Sequence, residues 1–358
     1  MPLFTISTVK RATQLQEGQG RVEARFHAQA EAVVEKQTRD GKPFWELTVA
    51  DAEAKLVLRA WSDSPGFALC AGLTPGVFLE IEGEFALHPA FGVEARRWTC
   101  RALEPEEVEL LLGGPKELQE KQARDFEAIT TALSTLSDPR LHALCALFLE
   151  EFGERFRRTA AARTYHHARR GGLVEHVAQM IRTADRVAEI YPALNRDLLL
   201  AGVFFHDVGK LWENCPEPRG FGMPYDERGE LIGHIAIGIE MLNALWRKLL
   251  AREESATWAG ITPSNEDVRN HLIHLIASHH GEMAFGSPVF PKTPEAAALH
   301  YLDNLDAKLE MMAAGYQSGT PLAERIIERV RPLPANLVVP LEKYAAPPSE
   351  AKGGTEMA

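Results

Sequence analysis

The chain has 358 residues, of which 45% are hydrophobic and 25% charged, the mixture of a globular protein with roughly two to three domains. Acidic residues outnumber basic ones by 50 to 39, so the formal net charge is −11. This balance excludes a uniformly basic coat for nucleic acid and a polybasic membrane-surface protein. A phosphate-bearing partner therefore has to be met by a local patch.

The four cysteines lie far apart and form no CxxC pair, which argues against a disulfide scaffold and against a thiolate metal site. The first residues lack the basic start and long apolar run of a signal peptide. The sequence contains no uncharged apolar run of about 18 residues, so it predicts no membrane span. These features predict a cytoplasmic protein without a membrane partner.

The pattern of residues 20–103 predicts β structure. Segments 44–49 and 55–61 are rich in β-branched and aromatic residues, and segment 76–83 alternates apolar and polar residues. A last strand is expected at 92–100. Five short strands, with an irregular segment between the third and fourth, are typical of a small Greek-key barrel of the OB type.

Barrels of this type often bind single-stranded nucleic acid through aromatic and basic side chains. The aromatic candidates are Phe44, Trp45, Trp61, Phe91 and Trp98. However, residues 21–103 hold ten Lys and Arg against twelve Asp and Glu, which is not a basic groove. We expect most of these aromatic side chains in the barrel core. Whether the barrel contacts substrate or a neighbouring subunit stays open.

From Glu104 onward the pattern becomes helical, with apolar residues at three- and four-residue intervals that continue to about residue 313. Past Pro332 the chain is rich in Pro, Gly, Ala and Ser, and we expect its last ten residues to be disordered. The predicted boundaries are an OB-like barrel over 1–103, a helical linker over 104–160, a helical domain over 161–315 and a C-terminal extension over 316–358.

The histidines predict where the functional site lies. Ten of the 13 fall between His166 and His300, where even spacing would place about five. Within this window an apolar helix ends in the adjacent pair His206 and Asp207. Such a pair can reach one metal ion from a rigid backbone, and the second carboxylate oxygen can bridge to another.

An isolated His-Asp pair is common, so its weight depends on the other candidate ligands. In chain order these are His176, His234, His279, His280 and Asp303. Nitrogen and oxygen donors without thiolate suit Mn²⁺, Fe²⁺ or a similar divalent ion. We expect His271 and His274 to pack or cap instead, while His300 and Asp306 are candidates for orienting the ligands.

The order His, His-Asp, His, His-His, Asp resembles that of the HD-domain metal-dependent phosphohydrolases over residues 160–312. The motifs are HHxxxGGLxEH at 166–176, HDxGK at 206–210, GxLIGHI at 229–235, SHHGxxxFGSP at 278–288 and LHYLDNLDAK at 299–308. With the N-terminal barrel, this set is similar to the YhaM family of 3′-5′ exoribonucleases. The resemblance implies a multidomain fold class, an all-β OB-like barrel followed by an all-α HD domain.

The resemblance also implies a dinuclear metal site. One ion would be held by His176, His206, Asp207 and Asp303, and a second, bridged by Asp207, by His234, His279 and His280. Mn²⁺ is the expected cofactor, with Fe²⁺ or a similar ion as the alternative. A hydroxide shared by two such ions is a strong nucleophile at neutral pH. The expected catalytic residues are Asp207 and Lys210, whose ammonium would contact a phosphate oxygen.

The region before His176 is strongly basic. Its six arginines are Arg155, Arg157, Arg158, Arg163, Arg169 and Arg170. They would suit tracking a phosphate backbone toward the site, or they form a solvated face that balances Glu150, Glu151 and Glu154. The expected substrate contacts are Lys210, His167, Arg169 and Arg170, with His166 as a further candidate.

The resulting hypothesis is a metal-dependent 3′-5′ exoribonuclease acting on single-stranded RNA, with single-stranded DNA left open as a partner. The alternative is a phosphohydrolase of a small nucleotide or cyclic dinucleotide, with the barrel used for assembly. A third reading is an RNA-binding or scaffold protein whose HD site is structural, which the intact ligand set and Lys210 oppose. Assembly into a homo-oligomer is also left open.

Overall fold

The structure is a computed structural model that describes residues 2–15, 20–88, 92–164 and 167–343, apart from the side chains of Arg96 and Ser318. The expectations for Phe91, for His166 and for the last ten residues therefore lie outside the described residues. Contacts divide the chain into a large unit, residues 1–311, and a small unit, residues 312–358. Within the described ranges, no helix is long and apolar enough to cross a membrane.

The N-terminal part of the large unit is a mostly antiparallel sheet. Its strands are β1 (Leu3–Phe4), β2 (Val22–Gln37), β3 (Pro43–Ala50), β4 (Lys55–Trp61), β5 (Phe78–His88) and β6 (Gly92–Ala102), with helices α1 (Ile6–Leu15) and α2 (Pro65–Ala71). The strand order is β4-β3-β2-β5-β6, and β1 pairs with β2 in parallel. The long β2 joins both halves, because it pairs with β5 from Val22 to Gln29 and with β3 from Gln29 onward.

The sheet encloses its own apolar core. Phe26 and Phe85 are fully buried with ring centroids 5.6 Å apart, and Trp98 is buried beside them. The segment predicted as irregular between the third and fourth strands contains α2. A Cβ at Gly66 on this helix would lie 2.9 Å from the Trp98 ring, so glycine lets the helix approach the indole. Phe44 and Trp61 are only half-buried, and their rings stack 4.8 Å apart.

The rest of the large unit is helical, which confirms the predicted fold class of a β-sheet region followed by a helical region. The helices are α3 (Pro105–Gly113), α4 (Lys116–Ser134), α5 (Pro139–Arg158), α6 (Gly172–Ile190), α7 (Arg196–Phe205), α8 (Lys210–Glu213), α9 (Glu227–Ile232), α10 (His234–Leu250), α11 (Asn265–Ser278) and α12 (Pro294–Ser318), with 3₁₀ turns at Glu253–Trp258 and Met283–Phe285. The last helix extends into the small unit, which also holds strands β7 (Pro321–Ala323), β8 (Ile326–Ile327) and β9 (Leu337–Val338).

Helix α7 is the centre of the helical core. Every residue from Leu198 to Phe205 is buried, as expected for a helix that is apolar on all sides. The ring of Phe148 on α5 packs edge-on against Phe204 and Phe205, with centroids 5.2 and 5.5 Å away. Because α7 is surrounded by packed side chains, its C-terminal end is held rigidly inside the protein.

Candidate metal centre

The buried end of α7 delivers the His-Asp pair. His206 and Asp207 directly follow the helix and are 0% and 1% exposed. Two residues later, a Cβ at Gly209 would lie 1.9 Å from the carbonyl oxygen of His234. Only glycine allows that approach, so this residue brings the turn after α7 against the start of α10 and places His234 beside Asp207.

Four further helices supply the other candidate ligands. His176 lies in the second turn of α6, His234 at the start of α10, His279 and His280 at the end of α11, and Asp303 within α12. Gly281 ends the His-His pair with a φ of +78°, and a Cβ there would lie 2.2 Å from the ring of His300. The structure therefore brings together all seven residues predicted as metal ligands.

The two carboxylate oxygens of Asp207 face two different groups of ligands. Its Oδ2 lies 3.2 Å from His206 Nε2 and 3.8 Å from His176 Nε2. His176 Nε2 in turn lies 3.4 Å from Asp303 Oδ1. On this side His176, His206 and Asp207 offer ligand atoms within 4.8 Å of one another, close enough to hold one metal ion.

The other oxygen, Asp207 Oδ1, faces the remaining histidines. It lies 3.7 Å from His234 Nε2 and 3.6 Å from His279 Nε2. His280 completes this group, in which the three histidines offer nitrogen atoms within 4.8 Å of one another. Asp207 thus stands between two sets of candidate ligands, one on each oxygen.

The other nitrogen of each imidazole is fixed by an oxygen acceptor. The Nδ1 contacts are His176 to Asp306 Oδ2 at 2.7 Å, His206 to Val203 O at 2.7 Å, His234 to Glu213 Oε2 at 3.1 Å, His279 to Ile276 O at 2.8 Å and His280 to Phe285 O at 2.6 Å. A carbonyl or ionised carboxylate can only accept, so each Nδ1 carries the proton and donates it. Each Nε2 is then left as a lone-pair donor for a cation.

Three buried atoms on the Oδ1 side of the centre lack a hydrogen bond. Among the described residues, these are Asp207 Oδ1, His234 Nε2 and His279 Nε2, whereas Asp207 Oδ2 is ion-paired with Lys210. Leaving such atoms unsatisfied in a buried site is costly, whereas a divalent cation would satisfy all three at once. The donor set of imidazole and carboxylate is also the one expected for Mn²⁺ or Fe²⁺. The residues present therefore fit a bound divalent metal.

Charges around Asp207 keep it ionised. Burial alone would raise the pKa of this carboxyl, but the Lys210 ammonium, 2.6 Å from Oδ2, and His206 hold it well below its usual range. Burial lowers the pKa of His279 far below its usual value, so that imidazole is neutral. His176 differs: burial would lower its pKa, but Asp303 and Asp306 raise it to about 9. The two carboxylates thus favour a proton on each His176 nitrogen, and a cation bound at Nε2 would displace the Nε2 proton.

Two of the expected substrate contacts lie inside the site. Lys210 is 8% exposed and is paired with Asp207, so its ammonium is at the centre. His167 is 7% exposed, and its Nε2 lies 3.1 Å from Asp306 Oδ2, the oxygen that also accepts from His176. The His167 backbone has a φ of +46°, which is unusual for a residue other than glycine.

The other two expected contacts, Arg169 and Arg170, are engaged within the protein. Arg169 pairs at 2.6 Å with Glu175, whose fully buried carboxylate also binds Lys121 and Gln122. Burial would raise the pKa of Glu175, but these partners lower it to about 2. Arg170 donates to three peptide carbonyls of residues 217–220. For both arginines, contact with substrate stays a prediction.

Most of the remaining arginines of the basic region bind backbone carbonyls, although Arg158 also pairs with Glu154 at 3.5 Å, as expected for a charge-balanced face. Arg155 donates to Leu211 O at 2.7 Å, Arg158 to Pro216 O at 3.2 Å and Arg163 to Met223 O at 2.7 Å. Arg157 is exposed, with its guanidinium 4.8 Å from the centre of the Phe126 ring. These three arginines thus bind backbone carbonyls of residues that lie 56 to 60 positions later in the chain.

Glu213 is the functional candidate that the sequence patterns missed. Its carboxylate accepts both the backbone N–H of His234 at 2.6 Å and the ring N–H at 3.1 Å. The only sign of it in the sequence was its position as an acidic residue about one helical turn after Lys210. By contrast, His300 donates to the carbonyl of His279, and His274 Nε2 accepts the Lys292 N–H, as expected for orienting and capping residues.

Comparisons with known proteins agree with this geometry. The family model of the HD domain matches residues 173–308. The chain is 30% identical to the 3′-5′ exoribonuclease YhaM of Bacillus licheniformis over 296 residues, which cover 82% of this chain and 84% of that protein. It is 34% identical to the protein of the same name from Bacillus subtilis over 207 residues, 58% of this chain and 57% of that one.

One similar solved structure is a replication factor A related protein from Methanobacterium thermoautotrophicum. It is 21% identical to this chain, and the match covers 29% of this chain and 93% of that one. The TM-score of 0.22 is too low to support an argument about the fold.

Proposed function

This chain belongs to the YhaM family of 3′-5′ exoribonucleases, and from that premise we propose that it is a metal-dependent exoribonuclease that shortens single-stranded RNA from the 3′ end. The observation that carries the proposal is Asp207, a buried carboxylate between two sets of imidazole nitrogens. It lies 3.2 Å from His206 on one side and 3.6 Å from His279 on the other. A bound cation would satisfy the buried atoms of this donor set that have no hydrogen-bond partner among the described residues.

We propose that the residues around Asp207 would hold two divalent ions. The first would be held by His176, His206, Asp303 and Asp207 Oδ2, and the second by His234, His279, His280 and Asp207 Oδ1. The support is the division of the nitrogen atoms between the two carboxylate oxygens and the shared orientation of the rings. Oxygen and nitrogen donors without sulfur favour Mn²⁺, with Fe²⁺ as the alternative.

When bound, two divalent ions supply a water of lowered pKa and positive charge for the phosphoryl oxygens of a phosphodiester. The protein's own residues prepare this chemistry. Asp306 and Glu213 hold the Nδ1 protons of His176 and His234, which keeps both Nε2 atoms directed at the centre. Burial of His206 and Asp207 excludes bulk water and strengthens every charge interaction in the site.

Lys210 is the residue of this chain that would bind substrate directly. Its ammonium lies at the centre, 2.6 Å from Asp207 Oδ2, and it is a compact point charge with three donors. A second donated hydrogen bond would hold a non-bridging oxygen of the scissile phosphate. The same ammonium would then restrain Asp207 and orient the substrate.

The proposal is tested with purified protein, Mn²⁺ and single-stranded RNA, with free mononucleotides and a cyclic dinucleotide as competing substrates. We expect metal-dependent shortening of RNA by the wild type, and loss of both activity and bound metal in Asp207→Ala. Asp185→Ala is the control, because Asp185 pairs with Arg196 on the helical surface. Intact RNA beside hydrolysed nucleotide would contradict the proposal and support the small-nucleotide alternative.

A further inference from the structure

A segment without helix or strand lies, in the sequence, between Asp207 and His234 of the candidate metal site. Residues 214–226, called the strap below, join α8 to α9 and so connect the turn that follows Asp207 to the helix that precedes His234. The strap has no helix or strand of its own. Its backbone carbonyls instead receive hydrogen bonds from arginines of the basic region.

Three guanidinium groups bind the strap along its length. Arg158 donates to Pro216 O at 3.2 Å, Arg170 to Glu217 O at 2.9 Å, Pro218 O at 3.0 Å and Gly220 O at 3.1 Å, and Arg163 to Met223 O at 2.7 Å and Pro224 O at 3.0 Å. The planar fork of a guanidinium presents five N–H donors in fixed directions to several separated carbonyls, whereas a lysine offers three donors from a single nitrogen atom. These bonds replace the ladder that a helix or strand would supply.

The middle of the strap is seated on the β-sheet. The backbone N–H of Phe221 donates to Gln29 Oε1 at 2.7 Å, and Gln29 lies on β2. The Phe221 side chain is 4% exposed and packs with Ala50 and Ala52. The position of the strap therefore depends on the position of the sheet.

The start of the strap is tied to a candidate metal ligand. Arg163 also donates to the carbonyl of Glu213, the residue that directly precedes the strap. Glu213 in turn holds both the backbone and the ring N–H of His234. Hydrogen bonds, joined by short stretches of covalent chain within the strap and within Glu213, thus connect the sheet to His234.

We propose that the strap fixes the position of His234 relative to the β-sheet, and that Arg163 and Arg170 are positioning residues for the metal site rather than phosphate ligands. This inference rests on the proposed function only for its measurement of RNA binding. Loss of a strap contact would let Glu213 and His234 move, so metal affinity would fall. Binding of RNA would keep its dependence on salt, since no phosphate contact is removed.

The first test is Arg170→Lys, which keeps the charge but removes the fork, with Arg186→Lys as the matched control on an exposed ion pair. We expect faster hydrogen exchange over residues 214–226 and about tenfold weaker Mn²⁺ binding by calorimetry. The salt dependence of RNA affinity should not change. The proposal is overturned if both Arg170→Lys and Arg170→Ala show the hydrogen exchange and Mn²⁺ affinity of the wild type. A smaller salt dependence of RNA affinity in Arg170→Ala would then indicate a phosphate contact.

The second test is at the sheet. Gln29→Leu removes the amide oxygen that accepts the Phe221 N–H, whereas Gln29→Glu supplies a carboxylate oxygen as the acceptor instead. We expect Gln29→Leu to reproduce the exchange and metal effects of Arg170→Lys, and Gln29→Glu to restore both. If Gln29→Leu exchanges faster but binds metal like the wild type, the coupling to His234 is refuted. Exchange and metal binding are measured without RNA, so a wild type that fails to shorten RNA would refute the proposed function alone.

Discussion

At the scale of single residues, the site depends on atoms that hold the ligands as much as on the ligands. Asp306 accepts the Nδ1 proton of His176 and also contacts His167, so one carboxylate restrains two imidazoles. The two hydrogen bonds lower the pKa of Asp306 despite burial, so it is ionised and accepts only. This residue therefore fixes which nitrogen of His176 faces the centre.

We predict that Asp306→Asn weakens metal binding by about 10- to 100-fold while the fold is retained, because an amide can present its NH₂ group to His176 and reverse the tautomer. Isothermal calorimetry with Mn²⁺ measures the change. Asp185→Asn, on the exposed side of α6, is the control and should bind metal like the wild type. Equal metal affinity in the two variants would show that Asp306 does not control which nitrogen of His176 faces the centre.

Glu175 gives a pH-dependent contribution to stability. Its pKa of about 2 in the folded protein lies below the usual 4.5, so the folded state binds its proton less tightly than the unfolded state does. The stabilisation is complete above the usual pKa and is lost as the pH falls toward 2. By the size of the shift it is on the order of 3 kcal/mol near neutral pH.

We therefore expect Glu175→Gln to lower the free energy of unfolding at neutral pH, with a difference from the wild type that shrinks below about pH 4.5. Urea titrations at a series of pH values measure it. Glu189→Gln, which loses an exposed pair with Arg186, should show almost no difference at any pH. A Glu175→Gln effect that stays constant with pH would rule out the ionised carboxylate as its source.

At the scale of elements, the site forms because helix ends meet at one point. The turn after α7 touches the start of α10 through Gly209, and the end of α11 touches α12 through Gly281. A side chain at Gly209 would collide with His234, and one at Gly281 would collide with His300, which donates to the carbonyl of His279. These two glycines thus set the distances between the helices that carry the ligands.

Gly209→Ala is expected to abolish metal binding, because its Cβ would lie 1.9 Å from the His234 carbonyl oxygen. Gly238→Ala on α10 is the matched control. A Cβ there would lie 3.4 Å from Ile276, an ordinary contact, and alanine favours a helix. Metal content and the melting temperature should fall for the first variant and hold for the second. Normal metal content in Gly209→Ala would show that the turn can move away from His234.

At the scale of the whole molecule, the net charge of −11 limits how RNA can bind. Most arginines of the basic region direct their guanidinium groups at backbone carbonyls, so the cations that face the centre of the site are Lys210 and the proposed ions. Substrate is then drawn to one charged site rather than to a broad surface. This arrangement suits an enzyme that acts on a chain end.

The sequence was sufficient to predict the order of sheet and helices and the residues that meet at Asp207, because the ligands occur in a recognisable order along the chain. It could not reveal Glu213, since the four-residue α8 has no pattern and its contact depends on how α10 packs. The contacts of Arg163 and Arg170 were also hidden. A run of arginines looks the same whether its partners are phosphates or carbonyls of the strap.

The most direct test of 3′-5′ exoribonuclease activity measures the order in which 3′ and 5′ labels are released from a single-stranded RNA in the presence of Mn²⁺. With a 3′ label, the proposed reaction releases labelled mononucleotide at the first turnover. With a 5′ label, it gives a ladder of products that shorten one nucleotide at a time, and chelation of the metal stops both. Early release of the 5′ label, or RNA that stays intact with metal bound, would contradict the assignment of this site to 3′-5′ exoribonuclease chemistry.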